Sequence, residues 1–251
     1  MTQTGPRDPR IAAFFDIDGT LIAEPSLESR FFRALRRCGA IPLENYVRWT
    51  VAAFRLLPQG LSAVQQGNKR YLHGLRSDLV YQHIEAIPFF DEAVARVTWH
   101  AQQGHEIVLV SGTLEPLARM VAVSLECELE ARDLLARVHV CATRLEEQHG
   151  RWTGRLLGEA VFAENKCKAM TQFARQHQIE LRSCHAYGNA PRDRFLLAAA
   201  GHAHVVNPGK ELAALANLRD WPIWYWHQER NLPLGCISTH EAQIQQIESG
   251  V

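Results

Sequence analysis

The 251-residue chain lacks the marks of several large protein classes. Its 27 basic and 27 acidic residues cancel, so no global field draws it toward nucleic acid or an anionic membrane. No run of about twenty apolar residues occurs, and a membrane span is not expected. Residues 1–10 are polar, carry Pro6 and Pro9, and lack the apolar stretch of a signal peptide. Six cysteines (Cys38, Cys127, Cys141, Cys167, Cys184, Cys236) form no C-x-x-C pair and no zinc-ligand spacing. They read as buried free thiols of a reducing compartment, and the chain as cytoplasmic. His202 and His204 share one face of an expected strand, but without a third ligand nearby they read as structural. Ser111 has no G-x-S-x-G elbow and no G-x-x-x-x-G-K-[ST] occurs, so neither a serine hydrolase nor a P-loop enzyme is supported.

What is present is a chain long enough for one large domain, or one domain with an insert. The apolar run 11–15 predicts a buried strand ending at Asp16. Leu27, Phe31, Ala34, Leu35 and Cys38 then recur at helical spacing until Gly39. A second helical stretch, 43–57, closes at Pro58 and Gly60, and further helical patterns cover 62–73 and 77–87. Residues 23–90 therefore read as an all-helical insert with no strand signal. Beyond it helices are expected over 91–103, 114–125, 165–177 and 192–200. Strands are expected over 107–110, 138–143, 152–157, 185–187 and 203–206. This alternation predicts an α/β fold, a Rossmann-like parallel sheet with helices on both faces. Ligands of such sheets bind at the carboxyl ends of the strands. Trp221, Trp224 and Trp226 near the end of the chain read as packing.

Four polar segments fall at those strand ends or at helix starts. Asp16-Ile17-Asp18-Gly19-Thr20 places two carboxylates on one side of an extended strand before a turn that Gly19 permits. Like charges this close raise each other's pKa unless a cation separates them, and an oxygen-rich site suits magnesium. Taken alone, the segment also fits a solvated turn. Ser111-Gly112-Thr113 offers a hydroxyl and amides for an anion, or simply a helix cap. Lys166, near a helix start, carries little meaning by itself. Asn189 and Asp193, four apart after the strand 185–187, could line an ion site or cap a helix.

In this order and spacing the four segments resemble the haloacid dehalogenase (HAD) superfamily, nearest its phosphoserine-phosphatase-like branch, which has a helical cap after the first strand. The resemblance implies an α/β core of residues 1–22 and 91–251 with a cap of residues 23–90. It implies a magnesium-dependent phosphomonoester phosphatase acting on a small phosphate ester, a phosphorylated metabolite or a lipid head group. By position, Asp16 would be the nucleophile and Asp18 the general acid/base. Ser111, the Gly112 amide and Lys166 would hold the phosphoryl oxygens. Asp16, the Asp18 carbonyl, Asn189 and Asp193 would hold Mg2+. Most relatives carry Asp where this chain has Asn189, so the metal site loses a charge. Glu24, Glu28 and Arg30 lie near the family's substrate-gripping positions without matching them clearly. Arg30, Arg33, Arg48, Arg55, Lys69 and Arg70 make the cap basic. Two alternatives remain open: a phosphotransferase using the same aspartyl-phosphate, and a non-catalytic phosphate-binding protein.

Overall fold

The structure, a computed structural model, describes residues 10–60, 64, 66–84 and 86–233. Strand β1 (Ala12–Phe15) is buried along its whole length, as a strand covered on both faces must be. It pairs in parallel with β3 (Glu106–Leu114) on one side and β7 (His185–Gly188) on the other. β4 (Val138–Thr143) extends the sheet past β3, and β8 (His202–Val206) and β9 (Ile223–Trp224) extend it past β7.

Side-chain alternation along these strands divides the core in two. Ala13, Phe15, Ile107 and Leu109 pack with α4 (Asp91–Gln102) and α5 (Glu115–Glu130) on one face. Ala12, Phe14, Val108 and Val110 pack with α6 (Glu164–His177), α7 (Arg194–Ala199) and α8 (Lys210–Leu218) on the other. The expected parallel sheet between two helical layers is the fold observed.

Between β1 and β2 (Ala86–Phe90) lie α1 (Leu27–Arg37), α2 (Leu43–Leu56) and α3 (Leu79–His83). In α1 the Ser26 hydroxyl accepts the Ser29 N–H, and Leu27, Phe31 and Leu35 form one buried stripe. Gly39, at φ +68°, ends the helical run where no side chain opposes the turn. This inserted segment, the expected cap, shares one core with the first sheet face, through Leu27, Phe31, Tyr71, Leu72 and Val80.

The structure departs from the sequence reading in several places. Residues 86–90, expected as helix or loop, form β2, which pairs antiparallel with β10 (Glu229–Pro233). A two-stranded ribbon can hold Pro88 because both strands are edges. β3 runs on to Leu114, so Ser111-Gly112-Thr113 belong to an irregular strand end, and the helix begins only at Glu115. An unexpected strand, β5 (Leu145–Gln148), forms a hairpin with β6 (Arg151–Leu156). This hairpin bonds to the cap: Gly74 N–H donates to the Trp152 carbonyl at 2.7 Å, and Trp152 N–H to the Leu75 carbonyl at 2.9 Å. The insert is therefore not purely helical in its surroundings.

Of the helix expected over 62–73, residues 62, 63 and 65 lie outside the described residues, and Arg70–Leu72 form a 3-10 turn. Among the described cysteines Cys184 is buried, Cys127, Cys141 and Cys167 are partly buried and Cys38 is exposed, so the reading of all as buried is corrected. Cys236 lies outside the described residues. Trp226 is buried, in accord with packing. Among the described residues no helix is long and apolar enough to cross a membrane.

Candidate active site

Three adjacent strands deliver the polar segments to one edge of the sheet. β1 runs into Asp16, β3 carries Ser111, and β7 stops at Gly188, just before Asn189. The chain places β3 and β4 on one side of β1 and later β7 and β8 on the other, and a crevice opens where the strand order reverses in such sheets. A cavity of about 610 Å3 lies there, lined by Asp16, Asp18, Ser111, Gly112, Thr113 and Lys166 and by cap residues including Glu28, Arg33, Lys69 and Tyr71.

The floor of the cavity is a buried charge cluster. Lys166 Nζ donates to Asp16 Oδ1 at 2.5 Å and to Asp193 Oδ1 at 2.7 Å, and all three side chains are almost wholly out of water. Burial alone would lower the lysine pKa, but the Asp16 and Asp193 carboxylates outweigh it and raise it, so Lys166 is a cation. Burial, with Asp193 as a like charge nearby, pushes Asp16 up to about 7 against the pull of Lys166. Asp16 Oδ2 is buried and has no hydrogen-bond partner. A buried carboxylate oxygen left in that state is costly unless something binds it.

Asp18 is held from two sides. Its Oδ1 accepts the Leu27 N–H at 2.8 Å, at the first residue of α1, and its Oδ2 accepts the Thr113 hydroxyl at 3.0 Å. Burial raises its pKa, and these two hydrogen bonds oppose the rise. A carboxyl so placed is fixed in direction and retains a proton more readily than an exposed aspartate. It also joins the cap's first helix to the end of β3. The sequence marks Thr113 only as part of an anion cradle or cap; its bond to Asp18 spans 95 residues and leaves no trace in local pattern.

The turn after β1 requires its glycine. Gly19 sits at φ +81°, and a Cβ there would meet Asn189 Nδ2 at 2.0 Å. Asn189 therefore lies directly over the Asp16–Thr20 turn, and its Oδ1 is 3.5 Å from the Thr20 hydroxyl. Asp193, expected beside it as a metal ligand, has both oxygens engaged: Oδ1 with Lys166, Oδ2 with the N–H groups of Asn189 (3.1 Å) and Ala190 (2.9 Å). A divalent cation of the kind the resemblance implies fits the remaining donors. The orphaned Asp16 Oδ2, an amide at Asn189 and the turn's carbonyls are hard oxygen ligands, and two buried carboxylates already share the one Lys166 ammonium.

Ser111 is buried, and its Oγ accepts the Thr113 N–H at 3.2 Å. Gly112 faces the segment ahead of α6: a Cβ on it would stand 3.4 Å from the Val161 carbonyl. In that segment Ala163 holds φ +49°, backbone strain of the kind found near functional sites, three residues before Lys166.

In the cap, Glu28 pairs with the buried Lys69 and accepts the Tyr71 hydroxyl at 3.0 Å. Arg30 is spent on the carbonyls of Pro25 and Ala23, and Arg48 pairs with Glu44. Of the six cap cations singled out by sequence, Arg33 and Lys69 line the cavity. Arg36, Phe162 and Arg192 line it too, and sequence reasoning had not singled them out. Arg192 lies over the Phe162 ring, 5.7 Å from its centroid.

The haloacid dehalogenase-like hydrolase family model matches residues 13–198. A probable phosphatase of Mycobacterium tuberculosis, Rv3661, is 27% identical over 241 residues, covering 88% of this chain and 79% of its own. Phosphoserine phosphatase SerB1 of the same organism is 27% identical over 231 residues, covering 87% and 71%. Among solved structures, an unliganded probable phosphoserine phosphatase from Vibrio cholerae superposes with a TM-score of 0.55 at 20% identity. That match covers 82% of this chain and 60% of the other, and speaks for the fold.

Proposed function

Because the chain belongs to the haloacid dehalogenase-like hydrolases, in their phosphoserine-phosphatase-like branch, and is a phosphatase, we propose that it hydrolyses a small phosphomonoester in a magnesium-dependent reaction through an aspartyl-phosphate on Asp16. The observation that carries this reading is Asp16 Oδ2, a buried carboxylate oxygen without a partner on the cavity floor, beside a fixed lysine.

In the proposed reaction one oxygen of the Asp16 carboxylate attacks phosphorus in line, and the bond from phosphorus to the ester oxygen breaks. Asp18, aimed by Leu27 and Thr113, gives that oxygen its proton. Lys166, Ser111 and the Gly112 amide hold the non-bridging oxygens, where preorganised donors lower the barrier most. In the second half Asp18 takes a proton from water. The water oxygen bonds to phosphorus, and the phosphorus–Asp16 bond breaks to release phosphate and restore the carboxylate. When bound, magnesium would be held by Asp16, the Asp18 carbonyl and Asn189, and would supply the positive charge that keeps Asp16 ionised. Asp193 in this account positions Lys166 and the Asn189 turn instead of ligating metal.

The lining of the cavity supports a substrate class. Cations from the cap (Arg33, Arg36, Lys69) and the core (Arg192) sit above the phosphoryl site, together with the Glu28 carboxylate. That mixture suits a small ester whose leaving group is itself polar and charged.

A panel of phosphate esters assayed with magnesium, and with chelator as control, tests the reading. Phosphate release should require a divalent cation and vanish in Asp16→Asn. Retention by that variant of more than about a tenth of wild-type kcat, a barrier loss of only about 1.4 kcal/mol, would overturn it. Including alcohol acceptors and measuring their phosphorylation separates hydrolysis from phosphoryl transfer.

A further inference from the structure

We propose that His100, His105 and His185 form a second metal site, for a divalent transition ion of the zinc type, at the edge of the sheet opposite the phosphoryl site. His100 lies in the last turn of α4, His105 precedes β3, and His185 opens β7. One nitrogen from each can be chosen so that all lie within 4.8 Å of one another. Ligands of a tetrahedral zinc stand roughly 3.3 Å apart, so closing the set needs ring movements of an ångström or so. Two of the nitrogens already meet, with His100 Nδ1 2.8 Å from His105 Nδ1.

The surroundings prepare the donors. His100 is fully buried, and its Nε2 lies 2.9 Å from the Tyr187 hydroxyl. With that nitrogen donating to Tyr187, the Nδ1 lone pair points at the cluster. A partner on the far ring nitrogen that fixes tautomer and orientation is characteristic of ligating imidazoles. His185 Nδ1 is likewise occupied, 3.0 Å from His204 Nε2, which leaves its Nε2 to bind. Loading the ion replaces the His100–His105 hydrogen bond, and His105, half-buried, moves its Nδ1 proton to Nε2 through solvent.

Burial, with His185 and His105 as neighbours, lowers the His100 pKa to about 2. Burial, with His202 and His105, lowers that of His185 to about 4, so both lone pairs are free at neutral pH. Arg96, which lies over the Trp99 and Trp224 rings, also acts on these histidines and opposes an added cation. Three imidazoles without a carboxylate select a borderline transition ion over magnesium. The site therefore differs in ligand type from the oxygen-lined cavity, and it stands independently of the phosphatase reading.

The test is titration of cobalt(II) into the full chain, stripped with chelator and then supplied with excess magnesium, followed by visible absorption. One equivalent should bind with the intense bands of a low-coordinate nitrogen site, and equally well in Asp16→Asn. His105→Gln and His185→Gln should each weaken binding at least about tenfold, while His227→Gln, at an exposed histidine, should not. X-ray absorption of the cobalt-loaded wild type should show an imidazole shell, a readout that does not depend on any variant folding. No cobalt bound under magnesium, an oxygen-only shell, or affinity unchanged in His105→Gln and His185→Gln would overturn the proposal.

Discussion

Replacing Asp16 with asparagine should make the metal-free protein more stable at pH 8, although it abolishes activity. The amide has the shape of the protonated carboxyl and cannot ionise, so the variant stands in for Asp16 with its proton held on. A rise from 3.8 to about 7, at about 1.4 kcal/mol per pH unit, means that ionising Asp16 costs the folded state about 4 kcal/mol. A carboxyl whose pKa is raised on folding contributes no penalty below 3.8. The penalty grows as pH rises from there to about 7 and is constant above. Urea unfolding with chelator should therefore find Asp16→Asn about 2–4 kcal/mol more stable than wild type at pH 8, the gap shrinking by more than half at pH 5. Excess magnesium should stabilise the wild type and leave the variant nearly unmoved, because a ligand that binds only the native state adds its binding energy to the fold. A wild type as stable as the variant at pH 8 in chelator, or a gap indifferent to pH, would refute the account of a strained, cation-seeking carboxylate.

Three further outcomes follow from the same geometry. Asp18→Asn should lose far more kcat on an alkyl phosphate than on p-nitrophenyl phosphate, whose leaving group needs no proton; equal losses would remove Asp18 from the role of acid. Gly19→Ala, which forces a Cβ at φ +81° into Asn189, should destabilise by more than about 1 kcal/mol in thermal unfolding and weaken magnesium activation. Asn189→Asp adds a fourth carboxylate beside the turn, so it should lower the half-saturating magnesium concentration while reducing stability in chelator. An unchanged magnesium titration would show that residue 189 does not face the ion.

Much of the architecture is legible in the sequence because it rests on local pattern. The continuous apolar run before Asp16 and the β-branched run before Ser111 are what strands covered on both faces demand, and Gly19 is what a turn at positive φ demands. The order of the four segments points to one edge of the sheet, where Asp16, Asp18, Ser111, Gly112 and Lys166 line one cavity, since side chains that follow parallel strands gather there. Pairings across the chain were not legible. β2 reads as the end of a helical insert until β10, some 140 residues later, supplies its partner. Lys166 means little until Asp16, 150 residues away, and Asp193 are seen to share its ammonium.

Asp193 looked like a metal ligand by position, and only the fold reveals that both its oxygens are already bound. His100, His105 and His185 lie far apart along the chain, at a spacing that suggests no common site, and none of the three stands out as a ligand in the sequence. The division has a physical origin. Periodicity, glycine geometry and strand-end placement depend on neighbours along the chain, and the sequence alone determines them. Desolvation, charge pairing and unsatisfied donors depend on which distant groups share a buried volume, and only tertiary structure decides that.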